Sequence, residues 1–298
     1  MLLLTITYKK LKKELVSELD NIIKNLKSKN IDLGIYDSSL DGMYFIKIFS
    51  RNDDISDREK EILNIHVANV IYNTMVYEFY EKEVDGFLCD TYFFLKSDET
   101  QDIKDKILNI LINDCEITDE NIIYCINRKN EIKKNIIEFL QQNDEINIDG
   151  FITFRMKEMK YKFQEIIDKI VEKYMVEKEY NEFIKLLKYF VDIQESKIET
   201  VNIIIKPNGE YVIQDNNEKD IIKQLVENIS QENENDMVSV DDLIMSGLVT
   251  NSPSNIIIHG EENTNNKEFI NTIKNVFGKR VKICKGCKMC KIKLNKSH

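Results

Sequence analysis

Three cysteines near the end of the sequence are the residues whose type and spacing best support a chemical function. Cys284, Cys287 and Cys290 form a C-x2-C-x2-C run, and Gly286 allows the tight turn that points the sulfurs at one centre. Three thiolates and one further ligand complete a tetrahedral zinc site. The same spacing opens the bacterial ferredoxin type of iron–sulfur site, but Lys291-Ile292-Lys293 stands where its fourth cysteine and proline are expected. The sequence therefore favours zinc over an iron–sulfur cluster.

The fourth ligand is expected from the strands that flank this region. Apolar runs at residues 255–259 and 280–284 predict two strands, and the segment between them has the spacing of an amphipathic helix ended by Gly278. A β-α-β unit of this kind has parallel strands, so both strands end at the same edge of the sheet. His259 ends the first strand and Cys284 ends the second. His259 is therefore the first choice for the fourth ligand, and His298 is the second.

Two alternatives to a metal site stay open. Cys284, Cys287 and Cys290 could be three reduced thiols without a metal. Cys284 and Cys287 could instead form a thioredoxin-like redox dithiol, because they also follow a predicted strand. Only eight residues follow the third cysteine of the run, too few for the long helix that activates the nucleophile in that mechanism. Cys89, Cys115 and Cys125 could serve as ligands only if the first half of the chain folds back.

The segment that carries the cysteine run is strongly basic. Residues 279–298 contain eight basic residues and no acidic one, whereas the first 278 residues contain 34 basic and 52 acidic residues, a charge of −18. Such asymmetry can mark contact with nucleic acid or with an acidic partner. The alternative is that the tail folds onto the acidic body of the chain itself or is simply solvated. No aromatic residue interleaves the basic ones, so a stacking platform for single strands is not supported. The basic residues are Lys279, Arg280, Lys282, Lys285, Lys288, Lys291, Lys293 and Lys296.

The composition and the missing motifs exclude several functional classes. At 298 residues the chain is long enough for about two domains, and no run approaches the ~20 apolar residues of a membrane span. Six cysteines in a chain without a secretion signal do not indicate a disulfide framework, so we expect a cytoplasmic protein. Glycine-rich phosphate loops, H-E-x-x-H and G-x-S-x-G do not occur, and His66 is expected to be a half-buried structural residue. The sequence therefore favours a binding protein over an enzyme.

The pattern of apolar residues predicts a mixed α/β fold in two portions. The first, residues 1–142, begins with β-α-β-β and continues as helices. The second, residues 148–298, is predicted to contain a strand at 148–154, a long helix over about 160–194 and a β-hairpin around Pro207-Asn208-Gly209. A linker near residues 229–237 then precedes the closing β-α-β unit and its cysteine-rich tail.

Two stretches of the second portion resemble a known family. Residues 150–157, GFITFRMK, and residues 177–191, EKEYNEFIKLLKYFV, are similar to the YtxC-like family of proteins associated with sporulation in endospore-forming Firmicutes. The closing β-α-β unit looks similar too. The resemblance covers the second half of the chain well, and the first half in length and general pattern. It implies a sporulation context in the cytoplasm and no particular reaction, so no catalytic residues are carried over.

The leading functional hypothesis is a cytoplasmic, sporulation-associated binding or adaptor protein with a zinc site at Cys284, Cys287, Cys290 and His259. One alternative is a metal-dependent or thiol redox enzyme that uses the cysteine cluster with His259. The other is a nucleic-acid adaptor that binds through the basic tail. In each case the chemistry is expected in the closing segment of the chain.

Overall fold

The computed structural model describes residues 1–9, 13–51, 55–113, 116–221 and 239–287. The chain divides into two compact units, residues 1–175 and 176–298. The division falls inside the longest helix, Ile148–Ile193, which contributes side chains to both cores. The domain boundary that the sequence placed between residues 142 and 148 stays a prediction, because compactness alone does not define a folding domain.

A four-stranded mixed sheet organises the first unit. Its elements are β1 (Leu2–Tyr8), α1 (Lys13–Ser28), β2 (Leu33–Leu40), β3 (Met43–Ser50) and the short β4 (Glu145–Asn147). The order is β2-β3-β1-β4, with β4 parallel to β1 and the other pairs antiparallel. Asp41 and Gly42 both have positive φ, as a two-residue hairpin turn requires. The predicted β-α-β-β beginning is confirmed.

Helices supply most of the rest of the first unit. They are α2 (Asp57–Phe79), α3 (Asp85–Thr91), α4 (Ser97–Ile112), α5 (Glu120–Gln142) and α6 (Ile148–Ile193), and a π-helical turn (Tyr80–Val84) joins α2 to α3. Phe163 of α6 stacks on Phe79 of α2 within the apolar core, with ring centroids 4.8 Å apart. No described helix combines the length and the apolarity needed to cross a membrane.

The strand predicted at residues 148–154 is wrong, because α6 already begins at Ile148. The buried residues of this stretch are Ile148, Phe151 and Ile152, which have the three-and-four spacing of one helix face. The side chain of Asn147 accepts a hydrogen bond of 2.8 Å from the backbone N–H of Gly150 and so satisfies a donor of the first turn. The long helix is therefore confirmed, but it starts earlier than the sequence predicted.

A second four-stranded sheet organises the second unit. Its elements are β5 (Thr200–Ile205), β6 (Tyr211–Gln214), α7 (Val240–Asn251), β7 (Asn255–His259), α8 (Lys267–Phe277) and β8 (Val281–Ile283). The order is β6-β5-β7-β8, in which β5, β7 and β8 are parallel and β6 is antiparallel to β5. The hairpin and the parallel closing β-α-β unit are confirmed, whereas the linker predicted near residues 229–237 lies outside the described residues.

The two faces of this sheet differ in character. Ile203 of β5 and Ile258 of β7 are register partners, and their side chains belong to an apolar core that also includes residues of α7 and α8. Because side chains alternate along a strand, Asn202 and His259 lie on the opposite face. Both are buried, with 4% and 3% of their surface exposed. This polar pair marks the face on which the candidate site is built.

Asp119 connects the start of α5 to Lys173 of α6 within the first unit. Its carboxylate accepts a hydrogen bond from the Ile122 N–H at the start of α5 and forms an ion pair of 2.5 Å with Lys173. The hydrogen bond from Lys173, followed by the one from the Ile122 backbone, lowers the pKa of Asp119 from 3.8 to about 2. Its stabilising effect is therefore present above the unfolded-state pKa and is lost as the pH falls through the folded-state value.

We expect Asp119→Ala to lower the free energy of unfolding by about 1 kcal/mol at neutral pH, because the helix cap and the ion pair are both lost. Asp119→Asn keeps a cap acceptor and should cost less. Urea titrations followed by circular dichroism at several pH values between neutrality and pH 2 would measure both effects. The difference between wild type and Asp119→Asn should shrink on acidification, and a difference that stays constant with pH would contradict this role.

Candidate metal centre

His259, Cys284 and Cys287 come together at one edge of the second sheet. Their ligand atoms, one from each residue, all lie within 4.8 Å of one another. The Sγ atom of Cys287 is 3.6 Å from Nδ1 of His259. In a tetrahedral zinc site with Zn–N and Zn–S bonds of ordinary length, the nitrogen and the sulfur are also about 3.6 Å apart. The observed separation therefore suits two ligands of a single metal ion.

The parallel strands explain why these residues meet. β7 and β8 pair in parallel from Ile256 and Val281 to Ile258 and Ile283. The backbone N–H of Cys284 then donates to the carbonyl of Ile258 at 2.8 Å, which carries the pairing up to the first cysteine. The meeting of His259 and the cysteines follows the β-α-β prediction, while their role as metal ligands stays a prediction.

Gly286 forms the turn that brings the second cysteine back to the first. Its φ is +117°, a conformation that side chains with a Cβ rarely adopt. No described heavy atom lies within 4 Å of the position that a Cβ would take, so glycine is needed here for its backbone and not for space. The turn leaves Cys284 and Cys287 half-buried beside the buried ring of His259.

A hydrogen bond with the side chain of Asn202 fixes the orientation of the His259 ring. Nε2 of His259 lies 3.2 Å from Oδ1 of Asn202, and Nδ2 of Asn202 donates to the carbonyl of Asp215 at 3.2 Å. Because the amide nitrogen of Asn202 donates to Asp215, the amide oxygen of Asn202 faces the His259 ring. An amide oxygen can only accept, so the hydrogen of this contact is assigned to Nε2. The lone pair of the neutral ring is then on Nδ1, the atom that faces Cys287. This is the arrangement in which metal-binding histidines are usually held.

Asn202 is the residue of this site that sequence reasoning missed. It lies on β5, whose Ile204 is the register partner of His259, so the two polar side chains are diagonal neighbours on one face of the sheet. The signal available in the sequence was a single asparagine inside the apolar strand V-N-I-I-I. The asparagine is buried because β5 pairs with β7, a pairing that the local sequence does not reveal.

Gly260 closes the strand directly after His259. Its φ is +68°, and a Cβ at this position would lie 2.6 Å from the backbone oxygen of Ile205, at the end of β5. That oxygen accepts a hydrogen bond from the side chain of Asn263. The chain can therefore turn away from the sheet at this point only because residue 260 has no side chain.

The other cysteines and histidines named from the sequence fall outside this group. Cys290, His298 and Cys115 lie outside the described residues, so their predicted roles are untested. Cys89 is exposed on α3 and Cys125 is buried on α5, both in the first unit. His66 is half-buried on α2, as expected, and burial followed by the charge of Lys29 lowers its pKa.

Arg280, one of the eight basic residues of the closing segment, is engaged inside the second unit. Its guanidinium donates to the carbonyl of Val191 at 3.2 Å and to Oγ of Ser252 at 3.0 Å. Oγ of Ser252, which is fully buried, donates to the same Val191 carbonyl at 2.9 Å. Val191 lies in the last turn of α6, where carbonyls lack helical partners. Arg280 therefore ties the end of α6 to the end of α7, and the nucleic-acid contact suggested for the basic residues stays a prediction.

The fold and site together define an α/β protein with a buried histidine and two half-buried cysteines grouped at the carboxyl edge of a mixed sheet. The chain belongs to the YtxC-like family, whose model matches residues 65–282. It is similar to the "Uncharacterized protein YtxC" of Bacillus subtilis (strain 168), with 21% identity over 197 residues, covering 65% of this chain and 67% of that protein. No solved structure matches the chain significantly.

The resemblance inferred from the sequence is thereby confirmed at the level of the family. The matched region includes Asn202 and His259 and ends just before Cys284. The buried histidine and its asparagine therefore belong to the part of the chain that the family model describes, whereas the cysteine run lies beyond it.

Arg280 provides a test of the contacts that assemble the second unit. Arg280→Ala removes hydrogen bonds from a charged donor to two buried acceptors and should lower the free energy of unfolding by roughly 1.5–3 kcal/mol. Arg280→Lys keeps the charge but cannot fork between two acceptors, so its loss should be intermediate. Lys282→Ala, an equal change of charge at an exposed position of β8, is the matched control. Urea unfolding would compare them, and equal losses for Arg280→Ala and Lys282→Ala would show that charge alone matters.

Proposed function

We propose that this chain is a zinc-binding protein whose second unit holds one ion through His259, Cys284, Cys287 and Cys290. The observation that carries the proposal is the separation of 3.6 Å between Cys287 Sγ and His259 Nδ1, on a ring whose other nitrogen is bonded to Asn202. Two ligands at tetrahedral spacing, a third within 4.8 Å and a fixed histidine tautomer are the features that a zinc site needs.

The donor set supports zinc over other metals. Thiolate sulfur and imidazole nitrogen favour zinc or copper(I) over calcium and magnesium, which take oxygen ligands. An iron–sulfur cluster is less well supported, because such clusters are ordinarily held by four cysteine thiolates, whereas the donors grouped here include an imidazole nitrogen. One histidine with three cysteines is a common ligand set of structural zinc sites.

A site closed by four protein ligands suits a binding role better than a catalytic one. Catalytic zinc keeps one position for water or substrate, whereas structural zinc has four protein ligands and contributes to folding. Zinc held in this way would join the ends of β7 and β8 and fix the residues that follow β8 against the sheet. We therefore propose a non-enzymatic binding or adaptor protein, acting in the cytoplasm during sporulation, in which zinc organises the closing segment of the chain.

Metal analysis of the purified chain tests the proposal directly. Protein prepared without chelator, both aerobically and anaerobically, should contain about one zinc ion per chain. Cys284→Ser, Cys287→Ser and His259→Gln should each lose most of it, because each removes one ligand. Cys89→Ser, which changes the exposed cysteine of the first unit, should keep full zinc content. Clearly substoichiometric metal in both wild-type preparations would refute the proposal.

Substitutions at Asn202 are expected to weaken zinc binding by different amounts. Asn202→Ala removes the acceptor of the Nε2 hydrogen and should weaken zinc binding by roughly 10–100-fold. Asn202→Asp keeps an acceptor oxygen and should bind zinc more tightly than the alanine variant. Competition with a chromophoric chelator would measure the dissociation constants, and circular dichroism would verify the fold. Wild-type affinity in a folded Asn202→Ala variant would show that this contact does not support the site.

A second candidate function uses the same residues as a reactive thiol. Cys287, His259 and Asn202 lie in the order of nucleophile, base and orienting amide, the arrangement found in cysteine hydrolases. The two candidates separate at Cys284, which a zinc site needs and a nucleophile at Cys287 does not. Labelling of Cys287 with iodoacetamide should be slow with zinc bound and fast in Cys284→Ser, whereas a thiol enzyme should label quickly in both.

A further inference from the structure

The second unit contains an open apolar groove on the helical side of its sheet. The groove has a volume of about 650 Å³ and is lined by α7, by the start of α8 and by the part of α6 that follows residue 176. Its apolar lining comprises Tyr180, Phe183, Leu187, Met245, Val249 and Phe269. Phe183 is 53% exposed and Tyr180 is 42% exposed. Exposed aromatic side chains that converge on one depression are typical of a docking surface.

The rim of the groove is acidic. Asp241, Asp242 and Glu268 line it, and its lining residues include no lysine or arginine. Within the part of the chain that the structure describes, none of these three carboxylates forms an ion pair; Asp241 accepts from Asn266 at 2.7 Å and Asp242 from Ser239. An apolar floor with an acidic rim favours an occupant that carries lysines beside apolar side chains.

The groove opens at the same edge of the sheet as the cysteines. The three acidic residues lie in the first turns of α7 and α8. α8 follows the carboxyl end of β7 and returns to the start of parallel β8, so its first turn lies at the carboxyl edge. The hydrogen bond from Asn266 to Asp241 places the first turn of α7 beside it. Cys284 and Cys287 follow β8 at this same edge.

We propose that residues 291–298 of this chain, a segment outside the described residues, dock in this groove. The segment K-I-K-L-N-K-S-H has three lysines, no acidic residue, and Ile292 and Leu294 between the lysines. Its charge balances the three carboxylates of the rim, and its apolar side chains match the floor. The eleven residues after Cys287 can extend to about 36 Å. That reach is twice the length of α7, whose 12 residues span about 18 Å.

This docking goes beyond the zinc site and does not depend on it. A chain shortened to end at Cys290 keeps every proposed ligand but lacks the docking segment. Zinc content can therefore be measured on the same samples. Failure of the zinc proposal and failure of the docking proposal would then be distinguishable.

The methyl group of Met245, inside the groove, is a local probe of the occupant. In protein labelled with ¹³C at the methionine methyls, the Met245 signal, assigned with Met245→Leu, should shift when residues 291–298 are removed. Lys291→Glu, Lys293→Glu and Lys296→Glu combined should give the same signal as the shortened chain. Adding Asp242→Lys and Glu268→Lys to that triple variant should restore the wild-type signal, because the charges are then exchanged. The Met159 signal, in the core of the first unit, should stay unchanged throughout.

Lys282→Glu, outside the segment, is the matched charge control and should leave the Met245 signal in place. An unchanged Met245 signal on shortening the chain would overturn the proposal. A signal that shifts together with a change from dimer to monomer in sedimentation would also overturn it, because the groove would then hold a second copy of the chain.

Discussion

The parallel pairing of β7 with β8 is the constraint on which the chemistry of the second unit depends. Two parallel strands finish at the same edge, so residues far apart in sequence, His259 and Cys284, are brought together by backbone hydrogen bonds alone. An antiparallel arrangement would have placed them at opposite ends of the strands. Gly260 allows the chain to turn directly after β7, and Gly286 allows the turn between Cys284 and Cys287, which keeps the donor atoms close.

Burial of polar groups on this edge has an energetic consequence. An asparagine and a histidine almost completely removed from water would each cost about 1–3 kcal/mol if left without partners. Here the side-chain oxygen of Asn202 is the hydrogen-bond partner of His259 Nε2, and the side-chain nitrogen of Asn202 donates to the carbonyl of Asp215. The other ring nitrogen, Nδ1, faces the sulfur of Cys287. The ring thus has one nitrogen bonded to an amide and the other directed at a thiol, which is the orientation that the proposed metal site requires.

The parts of the fold and site that the sequence predicted are those set by local spacing. The β-hairpin and the closing β-α-β unit each follow from turn residues or periodicity within a few positions. Asn202 could not be found in this way, because its burial depends on the pairing of β5 with β7, 50 or more residues later in the chain. The start of α6 was misread for a related reason: a short apolar run fits a strand and a buried helix equally well, and only the cap at Asn147 decides between them.

The basic residues of the closing segment fall into two groups with different roles. Arg280 is a structural residue, because its fork of donors satisfies a helix carbonyl and a buried hydroxyl that a lysine could not reach together. The lysines of residues 291–298 are of a different kind, since they follow the candidate metal ligands and no acidic residue lies among them. Electrostatic attraction between those lysines and the rim of Asp241, Asp242 and Glu268 acts at longer range than the apolar contacts beneath it. Charge would therefore bring the segment to the groove, and Ile292 and Leu294 would determine whether it stays.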